Sequence, residues 1–214
     1  LNQHNWSYYG QRNGGNLIGR QLGNSEKDIA TVINQAELIV LAEGDQGSVR
    51  PSALLLDKTI RNHEFFVEIK RFERSNGDSY SLWKRNPYAP PPIRFSTLFP
   101  ALAKNMEDGP KGFEKIFQQI EIQHMIDGHF QYQLISEKKA LKELELNNKN
   151  VDSYWTLVLL SILRNRPSEA SSQLEQLKPL LHKNPWPSAY QIVIELINWN
   201  PWKARSIAKQ ANTT

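Results

Sequence analysis

The sequence predicts an α+β protein with a small antiparallel sheet in its N-terminal part and only helices in its C-terminal half. Three observations predict this class. Two β-favouring runs flank an Asn-Gly turn at 76–77, a proline-rich segment follows at 86–92, and beyond it apolar residues recur at helical spacing. They divide the 214 residues into a polar arm at 1–24, an α+β domain at 25–92 and a helical domain at 93–214.

The composition excludes several classes of protein. The chain has no cysteine, which excludes disulfides, cysteine-ligated zinc and a thiol nucleophile. No apolar stretch approaches the roughly 20 residues that a membrane helix needs, so we expect a soluble chain. Neither observation identifies a compartment. Because the chain begins at Leu1 rather than at a methionine, we expect a processed chain, and a signal or anchor before Leu1 stays open.

The N-terminal elements follow from local patterns. Residues 1–24 are rich in Asn, Gln and Gly without a sustained period, which predicts an extended or loosely ordered arm. A helix is predicted over 26–42 with Ser25 as its cap. Its apolar stripe consists of Ile29, Val32, Ile33, Ala36 and Val40. The segment 44–51 has turn composition, and 52–62 suits either a short helix or a strand.

The clearest β signal is a hairpin with strands at 63–74 and 79–85. Asn76 and Gly77 favour a tight turn between them because both residues tolerate a positive φ. The proline run then ends the sheet, since proline donates no hydrogen bond to a neighbouring strand. We therefore place the domain boundary at the prolines.

Six helices are predicted beyond the prolines. They are expected at 113–125, at 130–146, after Asp152, and from Pro167, Pro185 and Pro201. Proline is favoured at the first helical position, and Asn184 and Asn200 are suitable caps before it. Four tryptophans lie at helical packing positions and are expected in the core or at helix junctions. They are Trp155, Trp186, Trp199 and Trp202.

The helical half contains a period. Pro167 and Pro201 are 34 residues apart, and so are Ala170 and Ala204. The stretch SYWTLVLLSILRNRPSEA at 153–170, with a weaker match over 116–141, resembles the tetratricopeptide repeat. Val158 departs from that pattern, which has glycine there. The resemblance implies stacked helix pairs and a partner-binding groove. Candidate groove residues are Gln118, Gln123, Thr156 and Gln191.

The leading functional hypothesis is a non-catalytic adaptor or assembly component that binds another protein through the helical half and the sheet edge. Two stretches without acidic residues support a partner-facing or phosphate-facing surface. The first carries Lys84, Arg85, Arg94 and Lys104, and the second, after Glu195, carries Lys203, Arg205 and Lys209. This hypothesis needs no cofactor and no metal.

A metal-dependent nuclease is the first alternative. Glu68 and Lys70 share one face of a strand, and with Asp57 they resemble the core of PD-(D/E)xK nucleases. In that family two carboxylates hold Mg²⁺ against the scissile phosphate and the lysine assists the attacking water. The resemblance implies Glu26 as an auxiliary acid. The proline that normally precedes the aspartate is replaced by Leu56.

A winged-helix regulator is the second alternative, with nucleic acid as its partner. Helices at 26–42 and 52–62 before the hairpin have the order of such a domain. Its phosphate contacts are expected from basic residues of the second helix and of the hairpin. They are Lys58, Arg61, Arg74, Lys84 and Arg85.

Overall fold

The structure is a computed structural model that describes residues 3–15, 19, 27–44, 50–62, 64–126 and 131–211. These residues form two compact units. The first unit takes the described residues up to Arg94 together with 122–126, and the second takes the remainder. The predicted α+β class is confirmed, with a small sheet followed by a helical region.

The first unit combines helices with a three-stranded antiparallel sheet. Its helices are α1 (Gln3–Arg12), α2 (Lys27–Gln35) and α3 (Pro51–Arg61), and its strands are β1 (Leu38–Glu43), β2 (Phe66–Glu73) and β3 (Ser79–Arg85). The strand order is β1-β3-β2, so β3 pairs on both sides. Apolar residues from α2, α3 and the sheet form its core. They are Ile29, Ile33, Ile39, Leu41, Leu56, Ile60, Phe66 and Trp83.

The predicted hairpin is confirmed as β2 and β3. Gly77 has φ +87°, a backbone conformation that residues with a Cβ rarely adopt. The Arg74 amide donates to the Asp78 carbonyl at 2.8 Å, and the Gly77 amide donates to the Arg74 carbonyl at 3.1 Å. The segment 52–62, which was ambiguous in the sequence, is helical in α3.

Two N-terminal predictions were wrong. The arm was expected to be extended, but residues 3–12 form α1. The helix expected over 26–42 ends at Gln35, and β1 follows it. In β1 the burial alternates, with Ile39 and Leu41 buried and Leu38 and Val40 exposed. Pairing with β3 therefore overrides the helical spacing of Val40 in the sequence.

The second unit is helical. It contains α4 (Phe95–Ala103), a 3-10 turn (Lys104–Asp108), α5 (Pro110–Ile126), α6 (Gln131–Leu146), α7 (Val151–Leu163), α8 (Pro167–Leu177), α9 (Trp186–Ile197) and α10 (Pro201–Ala211). The six predicted helices are confirmed as α5 to α10. A short 3-10 turn, Lys178–Leu180, contains Pro179 and closes α8 as expected. The expected cap at Gly128 lies outside the described residues.

The helix α4 was not predicted, because Pro100 lies inside it. Proline leaves the carbonyl four residues earlier without its usual amide donor. That carbonyl, on Ser96, lies 3.5 Å from the donating hydroxyl of the buried Ser136 on α6. The packing of α4 on α6 and α7 thus supplies a partner that local sequence does not show.

The core of the second unit surrounds α7. Its residues Trp155, Val158 and Leu159 are fully buried, as expected for a helix that is apolar nearly all round. Consecutive helices from α6 to α10 pack on one another. Among the described residues, no helix is long and apolar enough to cross a membrane.

Candidate functional site

The second unit contains the same helical hairpin twice, as α7 with α8 and as α9 with α10. In each hairpin a three-residue turn joins the helices and a proline opens the second helix. The central residues of the turns, Asn165 and Trp199, have φ of 54° and 55°. They lie 34 positions apart in the sequence.

The backbone hydrogen bonds of the two turns are also equivalent. In the first, the amides of residues 164, 165 and 166 donate to the carbonyls of 160, 162 and 161. In the second, the amides of residues 198, 199 and 200 donate to the carbonyls of 194, 196 and 195. Every donor and acceptor is shifted by 34 residues. The sequence period therefore corresponds to a repeated local structure.

Burial follows the same period at several positions. Leu160 and Ile194 are buried at equivalent places, as are Ala170 and Ala204. The alanines leave room for the close approach of the two helices in each hairpin. The described chain thus contains two copies of a 34-residue helical hairpin, while membership of the tetratricopeptide family stays a prediction.

The second copy exposes large apolar side chains, which we call the outer apolar patch. It consists of Val193, Leu196, Ile197, Trp199 and Trp202. Trp199 is 93% exposed and Trp202 is 77% exposed, so their expected burial was wrong. Trp155 is buried and Trp186 is half-buried. The sequence signal was present, because α9 is apolar on two faces and one core cannot cover both.

A buried polar cluster lies behind this patch. Glu195, 2% exposed, accepts hydrogen bonds from the Ser171 hydroxyl and from the Lys203 ammonium, whose Nζ lies 2.8 Å away. Lys203 also lies 3.0 Å from Glu175. Desolvation raises the pKa of Glu195, but the bonds from Lys203 and Ser171 outweigh it and leave the pKa below its ordinary value. The cluster ties α8, α9 and α10 together.

Three of the four candidate groove residues are not available to a partner. Gln191 is fully buried and donates to Ser171 and Glu175. Thr156 is buried with its hydroxyl on the Asp152 carbonyl, and Gln123 is also buried. Only Gln118, of these four, is exposed. Polar residues on an apolar helix proved to be packing residues.

The nuclease candidates Asp57 and Glu68 lie in one chain of alternating charges. Asp57 accepts from Arg61 at 3.0 Å, and Glu68 accepts from Arg71 at 2.8 Å. Both arginines also contact Glu43, at 2.6 Å each. The bond from Arg71 lowers the pKa of Glu68. The structure therefore links these carboxylates through arginines.

The other nuclease candidates do not join this chain. Lys70 lies over the Phe72 ring, and a bulge between Glu68 and Lys70 disturbs the strand alternation on which the motif depends. Glu26 lies outside the described residues. Among the described residues, no group of three acidic or histidine side chains is placed to hold a metal ion.

We expect millimolar MgCl2 to leave the thermal midpoint unchanged and to produce no plasmid cleavage. The reason is that Asp57 and Glu68 are already paired with arginine, which Mg²⁺ must displace. Differential scanning fluorimetry and a gel assay measure both effects. Cleavage that requires Mg²⁺ and is lost in both Asp57→Asn and Glu68→Gln would instead restore the nuclease hypothesis.

Arg85 is a structural residue although the sequence placed it at a partner-facing or phosphate-facing surface. It is 8% exposed, and its guanidinium donates to the carbonyls of Ala36, Pro90 and Ile33. Two of these carbonyls lie at the C-terminal end of α2, where a cation is favoured by the helix dipole. Burial lowers the pKa of Arg85. A guanidinium held in this way does not face a partner.

The remaining basic candidates are on the surface. Lys84 and Arg94 are exposed in the first unit. Lys104 forms a 3.1 Å ion pair with Asp152, which raises the pKa of the lysine. Of the basic residues expected in a winged helix, Arg61 is paired with Asp57 and Glu43, and Arg74 lies 3.7 Å from Asp78. These internal pairs reduce the positive charge offered to phosphates.

Comparison of the chain with protein-family models, with curated proteins and with solved structures returned no significant match.

Proposed function

We propose that this protein is a non-catalytic adaptor or assembly component that binds another protein through its helical unit. The observation that carries the proposal is the outer apolar patch, in which five large apolar side chains are exposed within ten consecutive residues. Contiguous exposed apolar surface of this kind marks interaction sites, and tryptophan is enriched among residues that dominate binding energy.

The hairpin repeat supports the same function. Stacked helical hairpins present side chains from successive units on one extended surface, which suits protein recognition. The backbone of the patch is well defined, because Trp199 sits in a turn whose hydrogen bonds are the same as those of the first hairpin. A preorganised surface loses little conformational entropy on binding.

The sheet edge is the weaker of the two predicted contacts. The strand β2 lies at an edge and exposes Val67, Ile69 and Phe72. However, the bulge next to Glu68 and the exposed cations Lys70 and Arg71 are features that protect an edge against pairing. We therefore assign the principal contact to the outer apolar patch.

A variant that copies the first hairpin tests this assignment. Position 199 corresponds to Asn165 and position 202 to Ser168, so Trp199→Asn with Trp202→Ser replaces both tryptophans by residues that the repeat already accepts. We expect chemical cross-linking with the whole chain as bait to recover a specific partner, and the double variant to reduce its recovery at least about tenfold.

The control is Tyr88→Ser, which removes an aromatic residue that is 96% exposed in the first unit. We expect it to retain the partner. Thermal melting should show that the double variant is at least as stable as the original, because asparagine tolerates a positive φ better than tryptophan does. Equal recovery of all cross-linked proteins by the two variants would contradict the proposal.

A further inference from the structure

The first hairpin shows what covers the face that the second leaves open. In α7, Asp152, Trp155 and Leu159 share one face because they are spaced by three and four residues. The Asp152 carboxylate lies 3.1 Å from Lys104, and the Trp155 indole donates to Glu107 at 2.9 Å. Both partners belong to the 3-10 turn that continues α4, and α4 itself packs on α7.

The equivalent face of α9 is exposed. Val193, Leu196 and Ile197 correspond to Leu159, Ile162 and Leu163 in the 34-residue repeat. Leu159 is fully buried, whereas Val193 is 54% exposed. Ile162 and Leu163 pack against the main core, whereas Leu196 and Ile197 are exposed. The same surface is therefore buried beneath a helix in one copy and open in the other.

The covering helix has a simple pattern. Phe95, Phe99 and Ala103 of α4 are spaced by four residues and are all buried. This spacing gives a narrow apolar stripe along one side of a helix. The chain itself thus shows that a helix with large apolar residues at four-residue spacing fits this face of the repeat.

The charges around the patch indicate the rest of the partner. From Trp186 to Ala211 the only acid is Glu195, which is buried and paired with Lys203. Arg205 and Lys209 on α10 are exposed. An incoming helix therefore meets an apolar surface with a basic border, and acidic flanking residues are complementary to it.

We propose that the outer apolar patch binds an acidic amphipathic helix of another protein, seated on α9 as α4 is seated on α7. This inference rests on the proposed adaptor function and specifies the chemistry of its partner. The apolar stripe supplies affinity, and the glutamate or aspartate side chains select the basic border. A basic or neutral helix lacks the second contribution.

Two labelled peptides test the inference with the full chain. Each is a helix about four turns long with phenylalanine at every fourth position, and the flanking positions are glutamate in one and lysine in the other. We expect fluorescence anisotropy to show binding of the glutamate peptide, weakened at least about tenfold by Trp199→Asn with Trp202→Ser. Arg205→Glu with Lys209→Glu should weaken it about tenfold and strengthen the lysine peptide.

The outcomes separate this inference from the function on which it rests. Equal binding of the two peptides, or no response to the charge reversal, overturns the acidic-helix partner. If the cross-linked partner is nevertheless lost in the tryptophan double variant, the adaptor function stands and only its partner chemistry fails. Concentration-dependent dimerisation that the same double variant abolishes overturns the inference in favour of a second copy of this chain.

Discussion

Replacing Arg85 by methionine is expected to destabilise the first unit by about 3 kcal/mol. The guanidinium donates to carbonyls of Ile33, Ala36 and Pro90 while only 8% exposed. Methionine has similar length but no donor, so buried carbonyls at the end of α2 lose their partners. Urea unfolding followed by tryptophan fluorescence measures the loss, since Trp83 lies in this core.

The matched control is Lys84→Met, which removes the same charge from the neighbouring, exposed position. We expect it to change the free energy of unfolding by less than about 0.5 kcal/mol. Arg85→Lys is expected to lose most of the stability as well, because one ammonium group does not reproduce the planar fork that serves these carbonyls. Equal effects of Arg85→Met and Lys84→Met would show that Arg85 does not clamp this unit.

Replacing Lys203 by methionine is expected to cost the second unit about 3 kcal/mol at pH 7. The change leaves the Glu195 carboxylate, 2% exposed, without its cation. The loss exceeds that of a surface ion pair because the remaining charge is buried. Lys209→Met on the same helix is the control, since Lys209 is exposed, and we expect it to be nearly neutral.

The pH dependence provides an independent check. Despite its desolvation, Glu195 has a folded-state pKa below its ordinary value of 4.5, because Lys203 and Ser171 bond to the ionised form. Its contribution is therefore present above pH 4.5 and is lost as the pH falls through the folded-state pKa. Without Lys203, burial favours the neutral acid, so acidification relieves the penalty.

We thus expect the stability difference between the original chain and Lys203→Met to shrink between pH 7 and pH 4, as measured by urea unfolding. A second substitution, Glu195→Gln, should recover part of the loss at pH 7 because it removes the buried charge. A difference that is constant with pH, together with no recovery, would assign the effect to packing of the lysine stem.

Local signals accounted for the elements that local chemistry controls. Asn76 and Gly77 predicted the β2–β3 turn because a positive φ is a property of those residues alone. Pro167 and Pro201 predicted the starts of α8 and α10, because proline suits the first helical position wherever the helix packs. The 34-residue period was visible for the same reason.

The tertiary structure decided the environments of single side chains. Val40 has helical spacing from α2 but pairs with Leu82 in the sheet, so its strand depends on a distant segment. Arg85 belongs to an acid-free stretch, yet the fold buries it against the end of α2. Charge in the sequence shows neither burial nor the partner of a group.

The candidate site shows the same division. The residues 193–202 and their apolar character are readable in the chain, and Trp199 and Trp202 were noticed but assigned to the core. Burial depends on whether another element covers a face, which is a non-local property. The sequence by itself determined the hairpin and its repeat, while only the packing of α4 on α7, with no equivalent helix described on α9, decided which copy exposes its apolar face.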